Sequence, residues 1–294
     1  MHAHAHFDPL SEFVNVRPRL FGIAYRILGS ASEAEDIVQD VWLRWQVTDR
    51  KAVVDPPAFL ATAATRLAIN VAQSARVRRE TYVGPWLPEP VDTTADPYLG
   101  AARGEALQLA VLLLLEKLSP TERAAYVLRE AFDYSYSQIA EVLQLEEANT
   151  RQLVTRARLH IAERRRKPAT PEQQRRLLES FVAAAQKGDV AELEALLVAD
   201  VVSYSDGGGV VRAARTPVNG RERVAKFISA FSSHFWTDVS LSFTQTNGQS
   251  SLLISRDGVI VTVATIDASE NGIEQILWMM RPSKLTGISN PSNS

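Results

Sequence analysis

The stretch YSQIAEVLQLEEANTRQLVTRARLHI, Tyr136 to Ile161, decides how this 294-residue chain is read. Ile139, Ala140 and Leu143 recur at helical spacing and make a short amphipathic helix. Leu145 falls in a turn, and a second helix runs from about Glu147 with Leu153, Val154, Ala157 and Ile161 inward. That order is a helix-turn-helix, with the small Ala140 where the two helices cross closely. The outward face carries Arg151, Gln152, Thr155, Arg156 and Arg158. Arginine and glutamine read guanine and adenine edges in the major groove, and threonine reads either or holds phosphate, so these five are candidate contacts to duplex DNA. Taken alone, the block also fits a helical hairpin with a solvated basic face. It departs from many such motifs at Gln144, where they use glycine, and at Thr150, where they use valine.

The formal net charge of -2 argues against nucleic-acid binding only as an average. Between Arg151 and Lys167 seven basic residues face one acid, Glu163, and Arg76, Arg78 and Arg79 form a second cluster. Dense basic patches on a near-neutral chain point to phosphate contacts at defined places. With no cysteine, disulfides, thiolate zinc sites and thiol redox sensing are excluded. The aliphatic run Val111 to Leu115 is far short of the roughly 20 residues that cross a bilayer, so no membrane partner is expected and the chain reads as cytosolic. His2, His4 and His6 alternate in MHAHAH; they read as a loose terminus or tag rather than a metal-binding arm, and no metal or other cofactor is expected.

Helical blocks flank a proline-rich segment. From about Pro9 to Arg79, Phe21, Tyr25 and Leu28, then Ile37 and Val41, keep helical spacing; Ser32 followed by Glu35 reads as a capping box, and Pro56-Pro57 opens a further helix. Gly84 to Pro97 holds four prolines and no helical period, which reads as an extended linker. Ser119-Pro120-Thr121-Glu122 starts another helix.

Read together, GIAYRILGSASEAEDIVQDVWLRWQ (Gly22 to Gln46), FLATAATRLAINVAQSARVRRE (Phe59 to Glu80) and LSPTERAAYVLREAFDYSYSQIAEVLQ (Leu118 to Gln144) resemble an extracytoplasmic-function sigma factor. The resemblance covers about residues 10 to 166. It implies a region 2 helical bundle over 8–80 and a region 4 helix-turn-helix domain over 105–167, joined by a linker over 81–104. It also implies two partners, RNA polymerase core and promoter DNA. In that family the AEDIVQDVWLRW helix docks on the polymerase, which makes Asp36, Gln39, Asp40, Leu43 and Arg44 the implied core contacts. The next segment captures flipped bases of the non-template strand at the -10 element, for which Arg66, Asn70, Arg76, Arg78 and Arg79 are the candidates. A flipped base needs a pocket and a cationic track for the single strand. The helix-turn-helix would then read the -35 element as duplex.

A further domain is expected over 171–286. Helices over Leu177 to Ala185 and Val190 to Leu197 precede strands at Val201–Ser205, Val239–Thr246, Leu252–Ser255, Val259–Ile266 and Ile273–Met280, with a helix from about Arg221 to Phe235. Helices on a curved antiparallel sheet make a cone, and this part resembles the SnoaL-like branch of the NTF2-like fold. The expected architecture is therefore multidomain, two all-α sigma domains followed by an α+β SnoaL/NTF2-like cone, as in the SigJ type of sigma factor. That type carries three motifs, which appear here as WLPEP (Trp86, Leu87, Pro88, Glu89, Pro90), DGGGV in place of DGGGK (Asp206, Gly207, Gly208, Gly209) and RPSKL in place of NPDKL (Pro282, Lys284, Leu285). The resemblance makes these the candidate regulatory contacts, and an unidentified small ligand in the cone is a possible further partner. Asp206, His234, Tyr204 and Trp236 could alternatively line an enzymatic cavity, but the reading is of a non-enzyme. A ligand-sensing helix-turn-helix regulator is the alternative reading.

Overall fold

The computed structural model describes residues 9–94, 107–162 and 166–289. The amino-terminal histidines, Pro97, Arg164 and Arg165 lie outside the described residues. The chain divides into two compact units, Met1–Val77 with Pro97–Leu107 and Leu114–Ile161, and Arg78–Asp96 with Gln108–Leu113 and Ala162–Ser294.

Seven helices carry the first half of the described chain: α1 (Pro9–Leu28), α2 (Ala31–Val47), α3 (Pro56–Glu80), α4 (Leu109–Leu115), α5 (Pro120–Phe132), α6 (Tyr136–Leu143) and α7 (Glu147–Ala162). The break between α1 and α2 comes one turn-step earlier than the Ser32 capping box suggests. Gly29 takes φ 67°, which ends α1, and Ser30 is left extended with its hydroxyl accepting from Glu33 N at 3.2 Å. The helix expected to start at Ser119-Pro120 does so, and Ser119 forms a reciprocal capping box with Glu122.

In the first unit α1 packs against both α2 and α5, so the amino-terminal bundle and the helix-turn-helix bundle share a core. Arg26 of α1 is buried there, with its guanidinium 5.2 Å from the Phe132 ring and bonded to Gly22 O at 3.2 Å. Burial lowers its pKa to about 10. A Cβ at Gly22 would stand 3.0 Å from that guanidinium and 3.2 Å from the Phe132 ring, so glycine is what lets the pair close. Arg123 of α5 repeats the device in reverse, donating at 2.6 Å to Ile27 O and at 2.6 Å to Glu116 Oε1.

The second unit is α+β. Helices α8 (Pro171–Lys187), α9 (Val190–Leu196), α10 (Arg221–Ala230) and α11 (Ser232–Phe235) accompany β1 (Leu197–Asp206), β2 (Val218–Asn219), β3 (Ser240–Thr246), β4 (Gln249–Arg256), β5 (Val259–Ser269) and β6 (Gly272–Met279). The sheet order is β2-β1-β6-β5-β4-β3. It is not wholly antiparallel as expected, because β6 runs parallel to β1. The helices and hairpins between β1 and β6 form the long crossover that a parallel neighbour needs. The expected helix over Arg221 to Phe235 breaks at Phe231, which holds φ -101° and ψ -1° between α10 and α11. The core is apolar, with Leu178, Phe181, Val224, Ile228, Ile266 and Trp278 buried against one face of the sheet.

Candidate nucleic-acid interface and linker clamp

The helix-turn-helix is built as its sequence demands. Ser135 caps α6 in a reciprocal box with Gln138, and Thr150, Leu153, Val154, Ala157 and Ile161 are the buried side of α7. Gln144 ends α6 in the left-handed conformation, φ 55° and ψ 47°, where a side chain is strained by roughly 1 kcal/mol and glycine is not. Thr150 is tolerated in the core because its hydroxyl donates to Glu146 O at 3.2 Å. Arg151, Gln152, Thr155, Arg156 and Arg158 are all exposed along one side of α7.

That face is less cationic than its arginines suggest. Arg156 Nε donates to Glu122 at 3.1 Å, Arg158 holds Glu130 at 2.6 Å, and Arg151 pairs with Glu147 one turn back while its guanidinium lies 4.5 Å from the Tyr136 ring. Exposed pairs of this kind are worth ~0–1 kcal/mol each, so phosphate or guanine can displace the acids at small cost. Gln152 makes no hydrogen bond among the described residues and presents its amide to solvent.

On α2, Asp36, Gln39, Asp40, Leu43 and Arg44 are all exposed, with Ile37, Val38, Val41 and Trp45 buried behind them. Among the described residues Asp40 and Arg44 form no ion pair, so the stripe is free to meet a partner. Arg44, Phe59, Arg66 and Asn70 line a cleft of about 320 Å³ between α2 and α3, and the Phe59 side chain is 41% exposed there. An exposed ring beside two guanidiniums and an amide suits a base stacked out of its strand. Arg66 is already occupied: Nε donates to Val142 O at 2.9 Å and Nη2 to Glu141 O at 3.2 Å, carbonyls of the last turn of α6. Arg76 and Arg78 are exposed further along α3, whereas Arg79 lies with its guanidinium 3.5 Å from the Trp86 ring. Of the five residues expected in one strand-capturing site, only Arg66 and Asn70 line the cleft; Arg76 and Arg78 lie further along α3, and Arg79 meets Trp86.

The WLPEP, DGGGV and RPSKL segments meet in the second unit around one buried carboxylate. Alternation along β1 turns Ser205 to one face and Asp206 to the other. Asp206, with no exposed surface, accepts from Tyr82 Oη at 2.6 Å, from Leu87 N at 2.9 Å and from Lys284 Nζ at 2.8 Å. Lys284 also donates to Leu87 O and stands 4.3 Å from the Trp86 ring, so Trp86 is held between two cations, Arg79 and Lys284. Leu87, Pro88, Pro90 and Leu285 are buried; Glu89 is half-buried at the rim. Burial pushes the Lys284 ammonium down to about 8 against the opposing pull of Asp206, and burial with the bond to Asp206 pushes the Tyr82 phenol up to about 12.

The glycines of DGGGV are needed for this approach. Gly208 has φ 58° and Gly209 φ 74°; a Cβ on Gly208 would fall 2.6 Å from Arg281 Cδ and 2.9 Å from Tyr82 Oη, and one on Gly207 2.3 Å from Val211 O. The linker then makes an isolated antiparallel bridge at the end of β3, Asp92 opposite Thr246: Val91 N donates to Asn247 Oδ1 and Asn247 N to Val91 O, both at 2.9 Å, and Thr93 N to Gln245 O at 3.2 Å. Sequence reasoning missed Tyr82, Arg281 and Asn247. The Asn247-Gly248 turn is the only one of their surroundings that carried a readable signal, since it joins β3 to β4 with φ 55° and 72°.

The acid-base arrangement considered for the cone is not assembled. His234 and Trp236 line a cavity of about 730 Å³ in the second unit, but Tyr204 and Asp206 do not, and the Asp206 carboxylate is committed to the linker. Among the described residues no cluster of side chains could hold a metal ion, and no helix is long and apolar enough to cross a membrane.

Family models for Sigma-70 region 2 and Sigma-70 region 4 match residues 13–80 and 108–161. The ECF RNA polymerase sigma factor SigJ of Mycobacterium tuberculosis (strain ATCC 25618 / H37Rv) is 39% identical over 228 residues, 74% of this chain and 72% of SigJ. The probable ECF RNA polymerase sigma factor SigI of Mycobacterium tuberculosis (strain CDC 1551 / Oshkosh) is 30% identical over 284 residues, 95% of each chain. The crystal structure of M. tuberculosis SigJ aligns with a TM-score of 0.77 and 31% identity, covering 95% of this chain and 98% of that one. Two sigma regions in order, followed by an α+β domain that grips the linker between them, place the chain: it belongs to the extracytoplasmic-function RNA polymerase sigma factors.

Proposed function

We propose that the protein brings RNA polymerase core to promoters through the exposed α2 stripe, reads the -35 duplex with α7, and captures -10 bases in the α2–α3 cleft. We further propose that its carboxyl-terminal domain governs this activity by holding the linker between the two sigma regions. The observation that carries the second part is the buried Asp206, which binds the WLPEP segment and Lys284 together. Once the two sigma regions part, a free linker would let region 4 sample many positions relative to region 2; one fixed from Tyr82 to Thr93 restricts them.

Geometry adds a requirement. The -35 and -10 elements are separate stretches of the promoter, one read as duplex and the other as a single strand. In the first unit Arg66, beside the cleft, is bonded to the end of α6 in the helix-turn-helix itself. While α6 holds Arg66 it cannot hold the non-template strand, so productive binding separates α3 from α6 and frees it. No step in this scheme is catalytic; bond making belongs to the polymerase.

Permanganate footprinting of the -10 element and DNase I footprinting of the -35 element, with polymerase core on a promoter selected from random sequence by the protein, test the assignments. Asn70→Ala should abolish thymine reactivity at the -10 element while leaving -35 protection; Gln152→Ala with Arg156→Ala should remove both. Equal effects of the two variants on both readouts would defeat the division of labour between cleft and helix.

A further inference from the structure

The cavity in the second unit is lined by aromatic rings and cations, and none of its lining residues is acidic. Trp278 forms its floor, buried and fixed by donation from its indole nitrogen to Ser203 Oγ at 3.1 Å. Phe235 stands edge-on to that ring at 5.5 Å and to Trp236 at 5.0 Å. Phe227 and Phe231 continue the wall on α10 and just beyond it, with centroids 5.0 Å apart and Phe231 46% exposed at the mouth. A folded protein gains nothing from a basket of rings left open to water.

Two guanidiniums stand at this mouth, Arg212 and Arg256, both exposed. Among the described residues neither side chain forms an ion pair or a hydrogen bond, unlike Arg156, Arg158, Arg166 and Arg175, which are paired with acids. Arginine is the side chain suited to bidentate capture of a carboxylate or a sulfonate-like group. At about 730 Å³ the cavity falls in the usual range for a small-molecule site, apolar with few placed polar groups.

We infer that this cavity binds an aromatic organic anion, its rings against Trp278 and Phe235 and its acidic group held by Arg212 and Arg256. The site abuts the linker clamp. Ser205 lines the cavity and the next residue, Asp206, holds the linker; Met280 lines it too, and its backbone nitrogen donates to Asp206 O at 2.9 Å. An occupant is therefore one residue away from the group that grips the linker.

The test uses the full chain and two probes that share an aromatic skeleton, 1-anilinonaphthalene-8-sulfonate and its uncharged counterpart N-phenyl-1-naphthylamine, followed by fluorescence titration. It needs no polymerase, so its outcome is independent of the function proposed above. The sulfonate should bind saturably at one site and more tightly than the uncharged probe. Arg212→Gln and Arg256→Gln should each weaken the sulfonate about tenfold, the order expected for a charge-assisted bond, and leave the uncharged probe unchanged. Ala230→Trp, which places a ring in the cavity from the exposed end of α10, should block both. A variant that failed to fold would gain sulfonate fluorescence rather than lose it, and matching thermal melts complete that control. Absence of saturable sulfonate binding, or binding indifferent to the arginines or to Ala230→Trp, would overturn the inference.

Discussion

Replacing Asp206 by leucine isolates the energetics of the clamp. The carboxylate is fully buried and serves three donors, and one of them, Lys284, has a side chain only 5% exposed. Breaking a buried ion pair by deleting one partner costs about 3–5 kcal/mol, because the other charge is stranded. Here the stranded charge has an escape: Lys284 titrates near 8 even with Asp206 present, so it can release its proton near neutral pH for about 1–2 kcal/mol. The Tyr82 hydroxyl and Leu87 N–H lose their acceptor as well, about 1–3 kcal/mol for each if it stays dry. Asp206→Leu is therefore expected to cost about 3–8 kcal/mol. Lys284→Met, which leaves Asp206 its two neutral donors, should cost about 2–3 kcal/mol. In the double variant no charge is stranded, so its cost should fall short of the sum by about 2 kcal/mol. Urea titration of the four full-length proteins gives the coupling, and the rate of proteolytic nicking between Tyr82 and Thr93 shows whether the loss is local to the linker. Additivity within about 0.5 kcal/mol would refute the claim that these residues act as one clamp.

Three further outcomes are expected. Gln144→Gly relieves the left-handed strain at the end of α6 and should stabilise the first unit by about 0.5–1 kcal/mol, read as a raised Tm. Glu122→Gln with Glu130→Gln releases Arg156 and Arg158 and should tighten binding to -35 duplex several-fold at low salt, an advantage that fades as salt rises. The Lys284 pKa is depressed in the folded state, so the unfolded chain binds the extra proton between about 8 and 10.5. Its contribution to stability therefore rises with pH through that window and is lost as pH falls through 8. From pH 7 to 9.5 the gap between wild type and Lys284→Met should shift in favour of wild type by about 2 kcal/mol, while Tyr82, with its raised pKa, works in the opposite direction only above pH 10.

The sequence is most legible where contacts are local. Helices α5 to α7 follow from period and caps, because Ser119, Ser135 and the apolar rows of α7 act within a few residues of themselves. The exposed stripe of α2 is readable for the same reason. Long-range pairs leave no such trace. Tyr82 and Asp206 are 124 residues apart, and Arg66 meets Val142 across 76. Neither periodicity nor composition encodes which carbonyl an arginine will find. The parallel pairing of β1 with β6 was hidden likewise, since alternation describes a strand's two faces and not its neighbour's direction. The proline-rich linker shows both limits together: Trp86 and Leu87 were recognisable as anchors, but the carboxylate that anchors them lies in another part of the chain.

Run-off transcription by polymerase core from a selected promoter tests the central claim most directly, comparing the full-length protein with Asp206→Leu at matched folded concentration. The account predicts core-dependent, promoter-specific transcript from the wild-type chain and a several-fold change in its yield when the clamp is broken, with -35 duplex affinity unaltered. A wild-type chain that initiates nothing with core, or a broken clamp that leaves the yield unchanged, would contradict it.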